Sequence, residues 1–299
     1  MSIPIKVASG QYPVEFLPSW QYFEEKVERL VAEAAAEEAT LLVFPEYSSM
    51  ELASLFEESV RHDLQFQMAE MQGLLSGYLE LHARLARTYG VYIVAGSYPV
   101  RLTDGSYRNR AYIFGPQGGY DFQEKIVMTR FESELWLISY GDQLKVFDTH
   151  FGRIGINICY DSEFPLLARR QVEAGANLIV VPSCTDTPFG YHRVRIGCQA
   201  RALENQCFVV HSVLVGEAPW SNAIDHNVGR SAIYSPVDYG FTEDGVLAIG
   251  NWCEPQWVYG IVDLSKTEDV RVRGEVLNYR DWANQSAAAS AEIANIELK

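Results

Sequence analysis

Short apolar runs of the kind that form buried strands alternate along the chain with longer stretches whose apolar residues recur at helical spacing. Strands are predicted at 5–11, 41–44, 91–98, 110–114, 120–125, 153–158, 177–181, 208–213, 230–234, 246–249 and 257–262. Helices are predicted at 20–37, 51–60, 64–89, 164–174 and 193–205. No repeat or linker interrupts this alternation before the Ala- and Ser-rich end of the chain, so it indicates one continuous α/β domain.

A turn rich in Gly and Pro separates two of the predicted strands. The residues GPQGG at 115–119 lie between the strands at 110–114 and 120–125. So short a connection joins antiparallel neighbours in a hairpin. The pattern therefore predicts that this part of the sheet is antiparallel and that the sheet as a whole is mixed.

The balance of charge limits the kinds of partner. Among the 299 residues, 24 Lys and Arg stand against 39 Asp and Glu, a net charge of −15. An anionic surface repels phosphate backbones and acidic membrane faces, and no basic patch offsets it, so neither nucleic acid nor a membrane is an expected partner. The apolar runs are far shorter than the ~20 residues that cross a bilayer, and the first residues lack the apolar stretch of a secretory signal. We therefore expect a soluble, cytoplasmic protein.

The cysteines do not form a recognisable framework. They are odd in number and stand at Cys159, Cys184, Cys198, Cys207 and Cys253. No C-x-x-C pair and no partnering H-x₃₋₅-H motif occurs, which argues against disulfides and against a structural zinc site. At least one of these thiols is therefore expected to be catalytic or simply buried.

Cys159 lies where a predicted strand turns into a helix. In GINICYDSEFP the apolar run ends at the cysteine, and Pro165 marks the next helix start. Such junctions place a side chain at the carboxyl edge of a sheet, where α/β folds bind ligands, and leave backbone N–H groups free to stabilise an oxyanion. A buried structural cysteine is the alternative interpretation. Cys184, which also follows a strand and has His192 nearby as a base, is the competing nucleophile.

Two charged residues follow other predicted strands. Glu46 comes after the run at 41–44 in FPEY, and Lys125 ends the strand that follows the Gly-rich turn. Each by itself is typical of a surface charge. Together with Cys159 they put a carboxylate, an ammonium and a thiol at the ends of three strands, which a sheet can gather into one cleft.

These three segments resemble the Glu–Lys–Cys motifs of the nitrilase superfamily, also called carbon-nitrogen hydrolases. The resemblance extends over about 5–262 and includes AGANLIVVPS after the cysteine motif and the stretch QARALENQCFVV. It implies a four-layer α-β-β-α sandwich with mixed sheets, a hydrolase domain at 1–265, and a C-terminal tail at 266–299 that packs on a neighbouring subunit or stays solvated. It also implies a homodimer or a higher homo-oligomer.

The resemblance assigns a role to each residue of the triad. Glu46 is the general base, Lys125 stabilises the thiolate and the oxyanion, and Cys159 is the nucleophile. The family carries a second glutamate near these three. Glu134 matches it best, through its seven-residue offset to the glycine of SYGD, and Glu132 is the close rival. No metal and no cofactor is required.

Loops around the triad are expected to set the substrate. Their expected lining residues are Tyr47, Tyr160, Cys184, Thr185, Asp186 and His192. Two features depart from the family pattern, since Ile126 and Val127 replace a common His-Leu pair and SCTDTPFGYHRVR replaces Trp-containing stretches. The latter resembles a subgroup in which the hydrolase is sometimes fused to an acetyltransferase domain. Arg193 and Arg195 either bind a substrate carboxylate or form ion pairs on a helix face.

The implied reaction is hydrolysis of a small amide to a carboxylic acid and ammonia, with water as the second substrate and a thioester on Cys159 as the intermediate. Hydrolysis of N-carbamoyl compounds or of nitriles by the same triad is the alternative. Two further hypotheses are acyl transfer to a nucleophile other than water and a catalytically idle binding subunit. The presence of Glu46, Lys125 and Cys159 together favours an enzyme.

Overall fold

The computed structural model describes residues 4–298. The strands are β1 (Ile5–Pro13), β2 (Leu41–Phe44), β3 (Tyr92–Arg101), β4 (Tyr107–Phe114), β5 (Tyr120–Glu124), β6 (Val146–Thr149), β7 (Gly152–Ile156), β8 (Leu178–Ser183), β9 (Phe208–Glu217), β10 (His226–Asn227), β11 (Ala232–Tyr234), β12 (Val246–Ile249) and β13 (Gln256–Val262). The α-helices are α1 (Trp20–Ala36), α2 (Glu58–Arg61), α3 (Leu64–Met71), α4 (Leu75–Tyr89), α5 (Pro165–Glu173), α6 (Pro188–Asn205), α7 (Leu264–Arg273) and α8 (Asn278–Asp281).

The strands join in the order β5-β4-β3-β2-β1-β9-β8-β7-β6. Neighbours from β3 to β7 along this path are parallel. The pairs β3–β4, β4–β5 and β6–β7 at the two ends are antiparallel. The hairpin predicted at 115–119 is present between β4 and β5, and the prediction of a mixed sheet is confirmed.

The sheet curls into two facing halves because β1 changes partners along its length. Its first part pairs with β2 and β13, and its last three residues pair with β9. Alternate side chains of β2 then face different layers. Leu41 and Val43 join the core that includes Ile156 of the other half, whereas Leu42 and Phe44 pack in the core that contains α1 and α4. Helices α5 and α6 cover the second half, so the predicted four-layer α-β-β-α sandwich is confirmed.

A buried ion pair reshapes the segment predicted as a helix at 51–60. A 3₁₀ helix, Ser48–Leu55, forms there and is followed by the short α2. The carboxylate of Glu51 is fully buried and accepts hydrogen bonds from the Lys26 ammonium at 2.8 Å and from the Tyr12 hydroxyl. These tertiary contacts draw the segment onto β1 and α1, and they are absent from the periodic pattern on which the helix was predicted.

Other differences concern the continuity, the bounds and the number of elements. The predicted helix at 64–89 is divided by a turn at Gln72–Leu74, where the Gln72 amide donates to the Pro99 carbonyl at 2.8 Å and ties the turn to β3. Helix α6 begins five residues earlier than predicted, because Thr187 accepts a hydrogen bond from the Gly190 N–H and Pro188 occupies the first position. The short strands β6 and β10 were not predicted.

The segment predicted as a C-terminal tail begins as a packed helix. In α7, Thr267 and Val270 are buried, and the Arg169 guanidinium binds the Tyr279 carbonyl at 3.1 Å. Residues 283–298 are exposed. Within residues 4–298, no helix is both long and apolar enough to cross a membrane.

Candidate active site

Cys159 occupies a strained turn at the carboxyl end of β7. The strand ends at Ile156, and Cys159 starts a 3₁₀ turn, Cys159–Glu163, that leads into α5. Its φ of +49° lies in the left-handed region, which costs a residue with a Cβ about 1–3 kcal/mol and is found where function requires it. The thiol is almost fully buried and lies 3.6 Å from the Cys184 carbonyl oxygen.

The carboxylate of Asp161 holds this turn to the loop that carries Lys125. It accepts hydrogen bonds from the backbone N–H of Ile158 at 3.1 Å, of Ile126 at 3.1 Å and of Val127 at 2.8 Å. Burial raises the pKa of Asp161 to about 7, and the Lys125 charge and these N–H groups act against that rise by favouring the carboxylate. One side chain therefore sets the spacing between the thiol and the ammonium.

We expect Asp161→Asn to lower kcat about 10²-fold with little change in KM, because displacing a reacting group by about 1 Å costs about that much. An asparagine offers one acceptor oxygen, and its amide nitrogen would face N–H donors. Steady-state kinetics on any substrate of the enzyme measures the effect. Asp148→Asn, at an aspartate 80% exposed and paired with Arg153, should leave both constants unchanged. An unaltered kcat in Asp161→Asn would contradict the assigned positioning role.

Glu46 follows β2, and its side chain lies in the space between the strand ends. Tyr47, next to it, has a left-handed φ of +57°. Strand β3 can approach this turn only at Gly96, because a Cβ there would lie 2.1 Å from the Pro45 carbonyl oxygen. The close approach brings the Glu46 carboxylate to the end of β5, where Lys125 stands.

Lys125 links two buried carboxylates. Its ammonium lies 2.8 Å from Glu46 Oε1 and 2.6 Å from Glu132 Oε2. Glu46 Oε1 also accepts from the Asn109 amide at 2.9 Å, and its Oε2 accepts from the Cys184 backbone N–H at 3.1 Å. All of these charged groups are buried, so the hydrogen bonds offset the large cost of removing them from water.

The second glutamate beside Lys125 is Glu132, which corrects the preference for Glu134. Glu132 is 3% exposed and accepts hydrogen bonds from the Tyr47 hydroxyl at 2.7 Å and from Thr129 N and Oγ1 at 3.0 and 2.8 Å. Glu134 is 56% exposed and pairs with Arg130 on the surface. Both lie on one short π-helical turn, Phe131–Leu135.

The seven-residue offset from Glu134 to Gly141 indicated the wrong glutamate, because Gly141 is required by the packing of the chain and not by the position of the glutamate. A Cβ at Gly141 would lie 2.8 Å from the Lys125 carbonyl oxygen. Gly141 thus lets the chain pass close to the end of β5. Its distance in sequence says nothing about which glutamate of the turn points inward.

The two glutamates offer a matched test. We expect Glu132→Gln to lower kcat/KM about 10²-fold or more, since it removes one of the two charges that orient Lys125. Glu134→Gln should leave kcat/KM within about twofold of the native value, because an exposed ion pair contributes little. Steady-state rates at saturating and limiting substrate separate kcat from KM. Equal losses in the two variants would refute the assignment of Glu132.

Burial and the mutual charges of the four groups shift their pKa values in different directions. Burial raises the pKa of Glu46, and Lys125 offsets this only in part. Against the effect of burial, Lys125 keeps the pKa of Glu132 below its usual value, and the two carboxylates keep the pKa of Lys125 well above its own. Burial, reinforced by the Glu46 charge, raises the pKa of the Cys159 thiol well above its usual value. A neutral thiol thus faces a carboxylate with raised proton affinity beside a fixed Lys125–Glu132 ion pair.

A cavity of about 460 Å³ opens onto these groups. Its lining includes Glu46, Tyr47, Lys125, Glu132, Trp136, Cys159, Cys184, Asp186, Arg193 and the segment 222–227. Of the six residues expected to line the pocket, Tyr47, Cys184 and Asp186 do so. Of the two arginines considered for a substrate carboxylate, Arg193 lines the cavity and Arg195 does not.

Three expected lining residues point elsewhere, and these expectations are corrected. The Tyr160 ring packs against Phe164 at 4.9 Å between centroids. The Thr185 hydroxyl donates to the Val228 carbonyl at 2.9 Å. His192 is exposed and stacks on Trp252, because the first turn of α6 rotates it away from the cavity. It therefore serves neither as a pocket residue nor as a base for Cys184.

Sequence reasoning missed two asparagines at the site. Asn109, on β4, donates to Glu46 at 2.9 Å and lies 3.4 Å from Glu132. A polar amide within a strand that also carries Ala111 and Ile113 was the available signal. Asn227, on β10, accepts a hydrogen bond from the Cys184 thiol at 3.3 Å through its side-chain oxygen, and no pattern in the sequence around it indicated that role. In residues 4–298, His, Cys, Asp and Glu form no cluster suited to a metal ion.

The model of the family described as carbon-nitrogen hydrolase matches residues 6–270. The chain belongs to the carbon-nitrogen hydrolase family. Three curated relatives are similar to this chain. It is 36% identical over 280 residues to a probable hydrolase, YhcX, of Bacillus subtilis, a match that covers 94% of this chain and 54% of that protein. The chain thus spans about half the length of that relative.

The other two relatives have named activities. The chain is 32% identical over 276 residues to a nitrilase of Pyrococcus abyssi, a match that covers 90% of this chain and 93% of that protein. It is 32% identical over 139 residues to omega-amidase NIT2-B of Xenopus laevis, covering 44% of this chain and 50% of that one.

Among solved structures, Nit3 of Saccharomyces cerevisiae, a member of the nitrilase superfamily, has a similar fold. The TM-score is 0.68 at 23% sequence identity, and the match covers 90% of this chain and 93% of that chain. This similarity supports the α-β-β-α sandwich described above for this chain.

Proposed function

We propose that this carbon-nitrogen hydrolase cleaves the C–N bond of a small amide through a thioester on Cys159. One observation carries the proposal: a thiol, a carboxylate of raised proton affinity and a buried Lys125–Glu132 ion pair meet at one cavity. Glu46 is the general base, Lys125 the electrostatic stabiliser and Glu132 the residue that orients Lys125.

In the first step Glu46 takes the proton of Cys159 as the sulfur attacks the amide carbon. The oxyanion that forms is stabilised by the Lys125 ammonium and by the backbone N–H of Tyr160 at the start of the 3₁₀ turn, where N–H groups lack helical partners. Glu46 then passes the proton to the leaving nitrogen. The C–N bond breaks, ammonia departs and the acyl group remains on sulfur.

In the second step Glu46 takes a proton from water as the water oxygen attacks the thioester carbon. The C–S bond breaks, the acid leaves, and the proton returns to the Cys159 sulfur. Glu46 must alternate between its two protonation states in each half-reaction. A raised pKa suits that task, because a base works best when its pKa is near the working pH.

The similarity to both an omega-amidase and a nitrilase leaves the class of substrate as the property to measure. A screen for ammonia release should include ω-amides, N-carbamoyl compounds and nitriles. Because Arg193 lines the cavity, each ω-amide that bears a carboxylate should be compared with its neutral analogue. We expect the carboxylate-bearing amides to give the highest kcat/KM, and nitrile turnover above amide turnover would overturn the preference for amides.

Intact-protein mass spectrometry distinguishes an enzyme from an idle subunit. During turnover, an acyl adduct should appear on the native chain and be absent when Cys159 is replaced. Added hydroxylamine tests the transferase alternative. A hydroxamate formed faster than the acid would favour acyl transfer over hydrolysis.

We also propose that two copies of the chain pair through α5 and α6. Phe189, Ile196 and Leu203 recur every seven residues on α6 and are 80%, 65% and 43% exposed, with Leu166 of α5 63% exposed. Seven residues are two helical turns, so these side chains form one apolar stripe. A stripe of this kind on a soluble protein marks an interaction surface.

We expect the native chain to elute at the mass of a dimer and Ile196→Glu at the mass of a monomer, because a charge in the centre of the stripe cannot be desolvated cheaply. Size-exclusion chromatography with light scattering measures both masses. Ile293→Glu, at an exposed isoleucine outside the stripe, should remain dimeric. A native monomer at micromolar concentration would contradict the proposal.

A further inference from the structure

Five polar side chains converge beneath α6, on the side of the helix away from its apolar stripe. They are Tyr191 and Arg195 on α6, His211 on β9, Arg230 just before β11, and Tyr234 on β11. We refer to them as the α6 cluster. None of them lines the catalytic cavity.

The sheet register brings the cluster together. Ala232 pairs with His211 and Tyr234 pairs with Val209, and cross-strand partners share a face of the sheet. His211 and Tyr234 therefore point the same way, with the small Ala232 between them. Tyr191 covers this face, its ring stacked on His211 at 5.9 Å between centroids, and Arg195 follows one turn later on the same side of the helix.

Several polar atoms of the cluster lack partners in the described chain. Both ring nitrogens of His211 and Nε of Arg195 and Arg230 are unpartnered. The Tyr191 and Tyr234 hydroxyls face only the guanidinium groups of the cluster itself, those of Arg230 and Arg195 respectively. Tyr191, His211 and Tyr234 are fully buried. Buried polar groups are rarely left unpaired, because each costs about 1–3 kcal/mol, so this concentration in one place calls for a polar occupant.

The charge of the α6 cluster indicates that its ligand is an anion. In residues 4–298, no carboxylate lies within ion-pair distance of Arg195 or Arg230, whereas the nearby Arg193 pairs with Glu163 at 3.6 Å. Burial, reinforced by the Arg195 charge, lowers the pKa of His211 to about 3, so its ring is neutral and the two guanidinium groups give a net charge of +2. Half-buried cations without counterions are unusual in a chain with a net charge of −15.

We propose that the α6 cluster binds a small oxyanion such as phosphate, sulfate or a carboxylate. The guanidinium groups and the two phenol hydroxyls are hydrogen-bond donors, and planar guanidinium groups match the oxygens of these anions. Arg195 and Arg230 are only half-buried, which leaves the anion a route from solvent.

The site would be separate from the catalytic cavity and would stabilise its wall. Thr185 and Val228 exchange two hydrogen bonds of 2.9 Å. They tie the segment that leads into α6 to the segment that leads to Arg230, and the same segments carry Cys184 and Asn227 of the cavity. An anion bridging α6 and β11 therefore links the two ends of this wall.

Thermal unfolding of the full chain tests the proposal with inorganic phosphate as the probe. At equal ionic strength and pH, 20 mM phosphate (~10 Kd for a millimolar site) should raise Tm by about 2 °C over chloride. Arg195→Gln should abolish the rise, and Tyr234→Phe, which removes one hydroxyl without changing the shape, should reduce it. Isothermal titration should show one phosphate per native chain.

Arg193→Gln is the matched control, since Arg193 lies on the same helix but faces the catalytic cavity. It should retain the full phosphate-dependent rise. Loss of the rise in Arg193→Gln would mean that phosphate binds in the catalytic cavity, and this would overturn the proposal. So would the absence of any rise in the native chain, or a full rise in Tyr234→Phe. If Arg195→Gln fails to fold, the phosphate-dependent rise in Tm of Tyr234→Phe decides whether the proposal stands.

Discussion

Cys159→Ala is expected to reduce ammonia release by about 10⁴-fold or more, the largest effect of any single substitution in this protein. The sulfur forms the only covalent bond to the substrate in the proposed reaction, and no other group can replace it at that position. The fold should survive, because alanine removes one buried sulfur atom and leaves the hydrogen bonds of Asp161 in place. Activity at saturating substrate, together with circular dichroism, measures both outcomes.

Cys184→Ala provides the matched control for the nucleophile. Cys184 lines the same cavity and its thiol contacts Asn227, but its contacts with Glu46 and Cys159 use the backbone N–H and carbonyl, which alanine retains. We expect this variant to keep activity within about tenfold of native and to retain the acyl adduct. The reverse result, in which Cys184→Ala is inactive and Cys159→Ala turns over, would assign the nucleophile to Cys184.

Glu46→Gln is expected to lower kcat by about 10³–10⁴-fold, near the upper end for loss of a general base, because the base acts in both half-reactions. A glutamine still fills the space and accepts a hydrogen bond, and Lys125 keeps its ion pair with Glu132 at 2.6 Å. The variant should therefore fold but react slowly. Pre-steady-state measurement should show that acyl formation and acyl hydrolysis are both slowed.

The same residue predicts a pH dependence. Only the ionised form of Glu46 can accept a proton, so kcat/KM should fall as the pH falls through its pKa. Since burial raises that pKa, the acid limb should have its midpoint above the ordinary glutamate value of about 4.3. The rate of Cys159 alkylation by iodoacetamide should follow this limb in the native enzyme and be slow throughout in Glu46→Gln. An alkylation rate unaffected by Glu46→Gln would contradict the role of general base.

Most of the fold followed from periodicity, and its failures have local causes. The strands from β1 to β9, with the exception of β6, are short apolar runs bounded by turns, so their existence could be predicted within a few residues. The helix predicted at 51–60 failed because Glu51 is buried against Lys26, a contact between residues 25 positions apart. Such a contact has no signature in a local window.

Strand ends made Glu46, Lys125 and Cys159 candidates, and the family resemblance joined them into a triad. Some lining residues of the cavity were also predicted, but most of the supporting contacts were not. Glu46, Lys125 and Cys159 each stand where an apolar run stops, and the carboxyl edge of a sheet is where such residues gather. Short turns, in contrast, direct neighbouring side chains to opposite sides. Whether Glu132 or Glu134 faces Lys125 depends on how the turn at Phe131–Leu135 packs, and spacing in sequence does not contain that information.

Residue pattern by itself determined the alternation of strands and helices and the strand-end positions of Glu46, Lys125 and Cys159, because these depend on local periodicity and on where apolar runs stop. The four-layer arrangement and the proposed roles of these three residues came from the resemblance to the family. The supporting contacts of Asn109 and Asp161, the cavity wall at 222–227 and the α6 cluster follow from which remote strands and helices meet. Those meetings depend on packing between segments far apart in the chain, as in the β1–β9 pairing of Gln11 with Val213 or the β1–β13 pairing of Ile5 with Val262. Only the folded chain brings these groups within bonding distance of one another.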